Sequence, residues 1–188
     1  MNKSIVKGSL KDISQQTGQS LAETFVHADA IILLDTSGSM ASKDAPGGRM
    51  RHEAAEDQLR ALQRSLPGKI ALISFSNQVQ FCPSGIPVRF DGGTDIAKAL
   101  RFVKPADDCG IKFILISDGW PDDKEKTLKV ARTFKSKVDC IYIGPETGYD
   151  TDGRVFLEKL AALTGGQYAV SVAPAMFGEH VEKLLLTE

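Results

Sequence analysis

From residue 28 onward, short runs of consecutive apolar residues alternate with segments in which apolar residues recur every three or four positions. That alternation constrains the fold more than any other feature of the chain. Runs at 30–34, 70–75, 113–116 and 138–143 offer hardly any polar side to water, so strands made from them must be covered on both faces, as in a parallel sheet. The intervening segments supply the cover. Ala55, Leu59, Leu62 and Leu66 fall on one helical stripe, as do Ile96, Leu100 and Val103, and then Leu128, Ala131 and Phe134. The pattern predicts an α/β domain of Rossmann-like type, with a mostly parallel central sheet and helices on both faces. A further helix through Phe156, Leu160 and Ala161 should end at Gly165-Gly166, before a short strand through Tyr168 and Val170. A last helix is expected after Pro174, with Phe177, Val181, Leu184 and Leu185 on its apolar side.

One connection departs from this scheme. The stretch 78–83 follows the second strand after only Ser76-Asn77, which suits a hairpin and not a helical crossover, so one antiparallel edge strand is expected. Residues 1–27 stand apart, because Leu10, Ile13, Thr17 and Leu21 trace a weak amphipathic helix interrupted by Gly18. The expected organisation is an N-terminal arm over 1–27, partly helical, and one domain over 28–188. A chain of 188 residues buries one good core and does not divide comfortably into two.

Charge narrows the partners. With 23 basic against 24 acidic residues and a net charge of -1, nothing in the bulk electrostatics points to a nucleic acid or an anionic membrane, so a partner must be recognised locally. No apolar run approaches the roughly 18 residues of a membrane span, and the start, MNKSIVKGSL, lacks the apolar stretch of a signal peptide. Cys82, Cys109 and Cys140 are scattered and odd in number, a poor basis for a disulfide framework. A cytoplasmic location is therefore expected, with Cys82 and Cys140 as small core residues. His27, His52 and His180 are equally scattered, which argues against zinc.

The chemistry concentrates where the first strand ends. Its run AIILLD leads into Asp35-Thr36-Ser37-Gly38-Ser39-Met40, so a carboxylate and two hydroxyls stand at alternating positions as strand gives way to loop. In an open α/β sheet the loops at the carboxyl ends of the strands build the ligand site. Two more oxygen ligands fall at equivalent places: Asp118 closes the run FILIS, and Thr94 follows Gly92-Gly93. An all-oxygen set suits a hard cation such as Mg²⁺.

These residues resemble the von Willebrand factor A and integrin I-domain family, whose metal-ion-dependent adhesion site reads DxSxS, then a distant Thr, then a distant Asp. Asp35, Ser37, Ser39, Thr94 and Asp118 match the five positions in order, and the likeness in strand and helix order runs from about residue 28 to the end. The resemblance implies a Mg²⁺ site, with Mn²⁺ or Ca²⁺ as alternatives. The serines would coordinate directly, the Thr would join in the binding-competent state, and the aspartates would act largely through water. An ion with few direct anionic ligands stays a good Lewis acid, so a Glu or Asp carboxylate of a partner protein can complete its coordination. The run DTSGSM looks like that of the many bacterial cytoplasmic members that work beside ATPases, kinases or phosphatases, which implies an intracellular assembly or regulatory factor.

Around this site, Trp120 and Arg49 are candidate rim residues for the partner, and the loops 41–49 and 145–153 belong to the same edge. Asp91 and Asp95 read as loop and helix-start residues, and Asp122-Asp123 as a helix start. The enzymatic alternative is a haloacid-dehalogenase-like, Mg-dependent phosphatase with Asp35 as nucleophile. It needs a second aspartate two residues on as general acid, and that position is Ser37. Neither GxSxG nor a Walker A sequence is present. The expectation is a binding module and not an enzyme.

Overall fold

A computed structural model describes residues 5–44, 48–144 and 151–170, together with 181 and 183. The six described strands are β1 (Ala30–Asp35), β2 (Ile70–Phe75), β3 (Val79–Phe81), β4 (Lys112–Ser117), β5 (Val138–Tyr142) and β6 (Tyr168–Val170). They form one sheet in the order β3-β2-β1-β4-β5-β6, parallel throughout except for β3, which pairs antiparallel with β2. The hairpin expected at 78–83 is thus this short edge strand. The architecture is a Rossmann-like α/β sheet with flanking helices.

Both faces of β1 are buried along its whole length because successive side chains point opposite ways. Ile31 and Leu33 join Phe113, Leu115 and Val138 on one face, under α4 (Ile96–Val103), α5 (Lys124–Ala131) and α6 (Thr151–Thr164). Ile32 and Leu34 join Leu72, Ile114 and Ile116 on the other, under α3 (Arg51–Ser65) through Ala55, Leu59 and Leu62. The stripe predicted for α3 is the stripe that packs. Truncating Leu59, which has no solvent exposure, would cost about 3 kcal/mol.

Short polar caps fix where the helices begin. Asp95 caps α4 by accepting the Lys98 N–H at 2.8 Å, and Asp123 caps α5 by accepting that of Lys126 at 2.8 Å. The interrupted helix of the N-terminal arm is two helices, α1 (Leu10–Thr17) and α2 (Leu21–Val26). α1 stops at Gly18, and Ser20 opens α2 through a reciprocal capping box with Glu23. The arm packs on the domain: Leu10 is buried in the first core cluster, and the Lys11 N–H donates to the Pro83 carbonyl at 2.8 Å.

Cys82 and Cys140 are buried and Cys109 is exposed, all three as free thiols. Of the last helix expected after Pro174, only Val181 and Lys183 are described; both are helical, and Val181 is buried on the α3 face. Phe177, Leu184, Leu185, Pro46, Gly47 and the loop residues 145–150 lie outside the described residues. Among the described residues, no helix is long and apolar enough to cross a membrane.

Candidate metal centre

The strand order reverses between β1 and β4. To one side the chain continues through β2 and β3, to the other through β5 and β6, so the loops leaving β1 and β4 diverge and open a crevice at their carboxyl ends. Asp35 is the last residue of β1 and Asp118 the first after β4. Both carboxylates are buried, with 0% and 1% exposure.

Each is held differently. One oxygen of Asp35 accepts the Ser37 N–H at 2.8 Å, and the other accepts the Ser117 hydroxyl at 2.6 Å. The Ser117 oxygen in turn accepts the Gly119 N–H at 2.9 Å, so this one serine ties the two strand ends together. The Ser37 and Ser39 hydroxyls stand 3.1 Å apart. Asp118 Oδ2 takes one N–H of the Arg51 guanidinium at 2.9 Å, whereas its Oδ1 is buried without a hydrogen-bond partner. Burial pushes the Asp35 carboxyl up to about 7, the nearby charge of Asp118 adds to this, and the Ser117 and Ser37 hydrogen bonds oppose it. Asp118 is also raised, by burial first, with the Ser39 hydroxyl and the Arg51 guanidinium pulling the other way.

The third loop is fastened beside the first. The Gly38 N–H donates to the Gly92 carbonyl at 3.1 Å, and buried Thr94 donates its N–H to Asp122 at 2.9 Å while its carbonyl accepts the Asp122 N–H at 3.0 Å. The fold therefore gathers Asp35, Ser37, Ser39 and Asp118 in one cluster and sets Thr94 on the adjoining loop. Thr36 faces elsewhere, its hydroxyl donating to the Phe75 carbonyl of β2 at 3.0 Å.

The α6 backbone closes one side. A Cβ built on Gly119, whose φ is 81°, would lie 2.1 Å from the Gly153 carbonyl oxygen, and one on Gly153 would lie 2.2 Å from that of Asp118. Trp120 is 40% exposed on this rim, with the Lys124 ammonium 5.6 Å from its ring centre. Arg49 leaves the site, donating to Asp57 at 2.6 Å and to the Glu53 carbonyl at 3.1 Å along the outer side of α3.

Arg51, Asp44 and Ser117 belong to the cluster but were not legible as site residues. A signal for Arg51 did exist. It stands four residues before Ala55 and eight before Leu59, on the inward stripe of α3. Ser117 and Asp44 carry no comparable spacing.

The donors present are carboxylate and hydroxyl oxygens, and a buried carboxylate oxygen is left open beside a second buried acid. That set fits a hard cation. Among the described residues, no three His, Cys, Asp or Glu side chains gather at metal-ligand spacing. The expected set, with two carboxylates and three hydroxyls, is of a different kind.

No family model and no curated protein matches the chain. Among solved structures it is similar to the RO (RSR) protein of Deinococcus radiodurans, at 20% identity and a TM-score of 0.37, over 74% of this chain and 35% of that one. The chain thus spans about a third of the length of that protein.

Proposed function

We propose that this chain is a von Willebrand factor A-type binding module that holds Mg²⁺ at the crevice between β1 and β4 and uses it to ligate an Asp or Glu of a partner protein. The observation that carries the reading is the pair of buried acids, Asp35 and Asp118, beside two hydroxyls 3.1 Å apart, with one carboxylate oxygen left open. Ser37, Ser39 and Thr94 would hold the ion through neutral oxygens, with Asp35 and Asp118 supplying the charge. When bound, the ion supplies a Lewis-acid position at which a carboxylate can replace water.

The chain's own part is to keep those donors in place before any ion arrives. Asp35 is fixed through both oxygens, which holds the Ser37 amide and the Ser117 hydroxyl in register. The same two bonds speak against Asp35 as a phosphatase nucleophile, since a buried carboxylate with both oxygens engaged is not presented to a substrate. Trp120, on the exposed rim, offers the partner an aromatic anchor. Arg49 is spoken for by Asp57 and contributes less.

The test is a thermal melt with and without Mg²⁺ or Mn²⁺, followed by chelation, on wild type and on Asp35→Ala. A cation that binds only the folded chain raises the midpoint by mass action, about 3 kcal/mol at a hundredfold excess over its Kd. The expected result is a rise in wild type, reversed by EDTA and absent in a folded Asp35→Ala. A wild-type midpoint indifferent to either metal would defeat the proposal. A partner captured with Mg²⁺ should be released by EDTA and lost in Thr94→Ala.

A further inference from the structure

Arg51 is an uncommon neighbour for a cation site. Its side chain is only 6% exposed and stands between two acids, so its charge is fixed within the centre and not shared with bulk water. Asp44 takes one edge of the guanidinium, Nε at 2.8 Å and NH2 at 2.6 Å, in a bidentate pair. A single contact remains for Asp118, from NH1 to Oδ2, and Oδ1 stays open. The Arg51 N–H also donates to the Ser42 carbonyl at 3.1 Å, which closes the neck of the loop that carries Asp44.

We propose that Arg51 sets the charge of the centre: a fixed guanidinium, held away from the open oxygen of Asp118 by Asp44, that loosens the hold on a divalent cation and strengthens the hold on an incoming carboxylate. The inference rests on the metal-binding reading above and adds the residues that tune it. Asp35 and Asp118 together balance a dication, which leaves the cluster neutral and with little pull on an acidic side chain. Arg51 adds one positive charge, and that charge is what a partner's carboxylate neutralises. Asp44, whose side chain is 38% exposed, faces water and is screened, so it offsets less of that charge than a buried acid would. Its second effect is geometric. Without it the guanidinium fork can turn onto both oxygens of Asp118 and cover the one left for the ion.

The two partners should therefore shift cation binding in opposite directions, which loss of structure alone would not do. Mn²⁺ titrated into the full chain and followed by calorimetry is the measurement. Arg51→Gln, which keeps an N–H donor without the charge, should tighten Mn²⁺ about tenfold, and Asp44→Asn should weaken it about tenfold. Arg51→Lys should stay closer to wild type than Arg51→Gln. With Mn²⁺ bound, acetate should displace metal-bound water, read as a fall in water-proton relaxation, less readily in Arg51→Gln than in wild type. Should Arg51→Gln fail to fold, Asp44→Asn decides alone, because its half-exposed side chain is not part of the core. Wild type that binds Mn²⁺ with both variants unchanged, or shifted the same way, overturns this inference and leaves the metal site standing. Wild type that binds no Mn²⁺ overturns both.

Discussion

Strand β4 has a buried aspartate beyond each of its ends, and the two are held in opposite ways. Asp107, before the strand, is saturated: the Lys104 ammonium and the amide of Lys135 reach one oxygen, and the amide of Ser136 reaches the other at 2.9 Å. Burial opposes its ionisation, yet these donors hold its carboxyl at about 2. Asp118, after the strand, has Arg51 on one oxygen with the Ser39 hydroxyl and the Trp120 amide nearby, but its other oxygen has no hydrogen bond of good geometry, beside the second buried acid Asp35. Both positions are acids with little exposure, so burial alone does not tell them apart. What differs is whether both oxygens are engaged. An acid whose lone pairs are filled by nearby amides fastens two loops together, whereas one left open next to another acid has capacity for something from outside.

The largest effect expected from the two ends is steric. Gly110 and Gly119 flank β4 with similar left-handed backbone, φ 72° and 81°, but a Cβ on Gly110 meets open space and one on Gly119 meets the Gly153 carbonyl at 2.1 Å. Gly110→Ala should cost about 1 kcal/mol, the strain of that conformation alone. Gly119→Ala should cost about 4 kcal/mol, because the α6 backbone must also move. Chemical denaturation of both variants checks this, and equal losses would mean that α6 does not press on the Asp118 loop.

Next come the acids themselves. Asp107→Ala strips three donors of their acceptor and should cost about 3 kcal/mol, with or without metal. Asp35→Asn removes a charge that burial and Asp118 both oppose, but it also takes one acceptor from the Ser37 amide or the Ser117 hydroxyl. At pH 8 the metal-free chain should therefore lose well under the cost of Asp107→Ala, about 3 kcal/mol, while losing any response to Mn²⁺. If Asp35→Asn is instead as damaging as Asp107→Ala, Asp35 is a fastener too, and the contrast between the ends fails.

A smaller effect separates the same residues by pH. Asp107 titrates below its ordinary value of 3.8, so its contribution is fully present above that pH and is lost as pH falls towards about 2. The stability of wild type should therefore decline over that interval more steeply than that of Asp107→Asn. Melts at stepped acid pH measure the two slopes, and parallel slopes would remove Asp107 from the account of acid unfolding.

The contrast also marks what the sequence makes legible. Strands buried on both faces announce themselves as apolar runs, and β2 coincides with the run at 70–75. Asp35, Ser37 and Ser39 could be placed because one strand end delivers them at alternating positions, and Asp118 because a second strand ends beside the first. The partners of these groups come from other elements and leave no local pattern. Ser117 reaches Asp35 from β4, and Asp44 reaches Arg51 across a loop. Arg49 and Arg51 differ for the same reason: Arg49 lies before the N-cap of α3 and turns to Asp57, whereas Arg51 opens the helix and reaches Asp118, and no local charge pattern tells the two apart. The fold was more legible than the site, since periodicity reports on each element alone and a binding centre depends on which elements meet.

The smallest stability effect belongs to the rim, and there it gives the finest comparison of the two ends. The Lys124 ammonium 5.6 Å from the Trp120 ring is a half-exposed cation–π contact, and Lys124→Gln should cost about 0.5 kcal/mol or less. Trp120 is the sole tryptophan, so its emission reports only on the loop that follows Asp118. Cys109 offers the matching probe at the other end of β4, since it is the one exposed thiol while Cys82 and Cys140 are buried. A fluorophore placed on Cys109 and the indole of Trp120 can then be read in one sample as Mn²⁺ is added. The expected outcome is a change in Trp120 emission that saturates with the metal, is absent in Asp35→Ala, and leaves the Cys109 label unmoved. A label that responds as strongly as the indole would mean that the ion alters the whole strand and its surroundings, and that the carboxyl end of β4 is not a separate site.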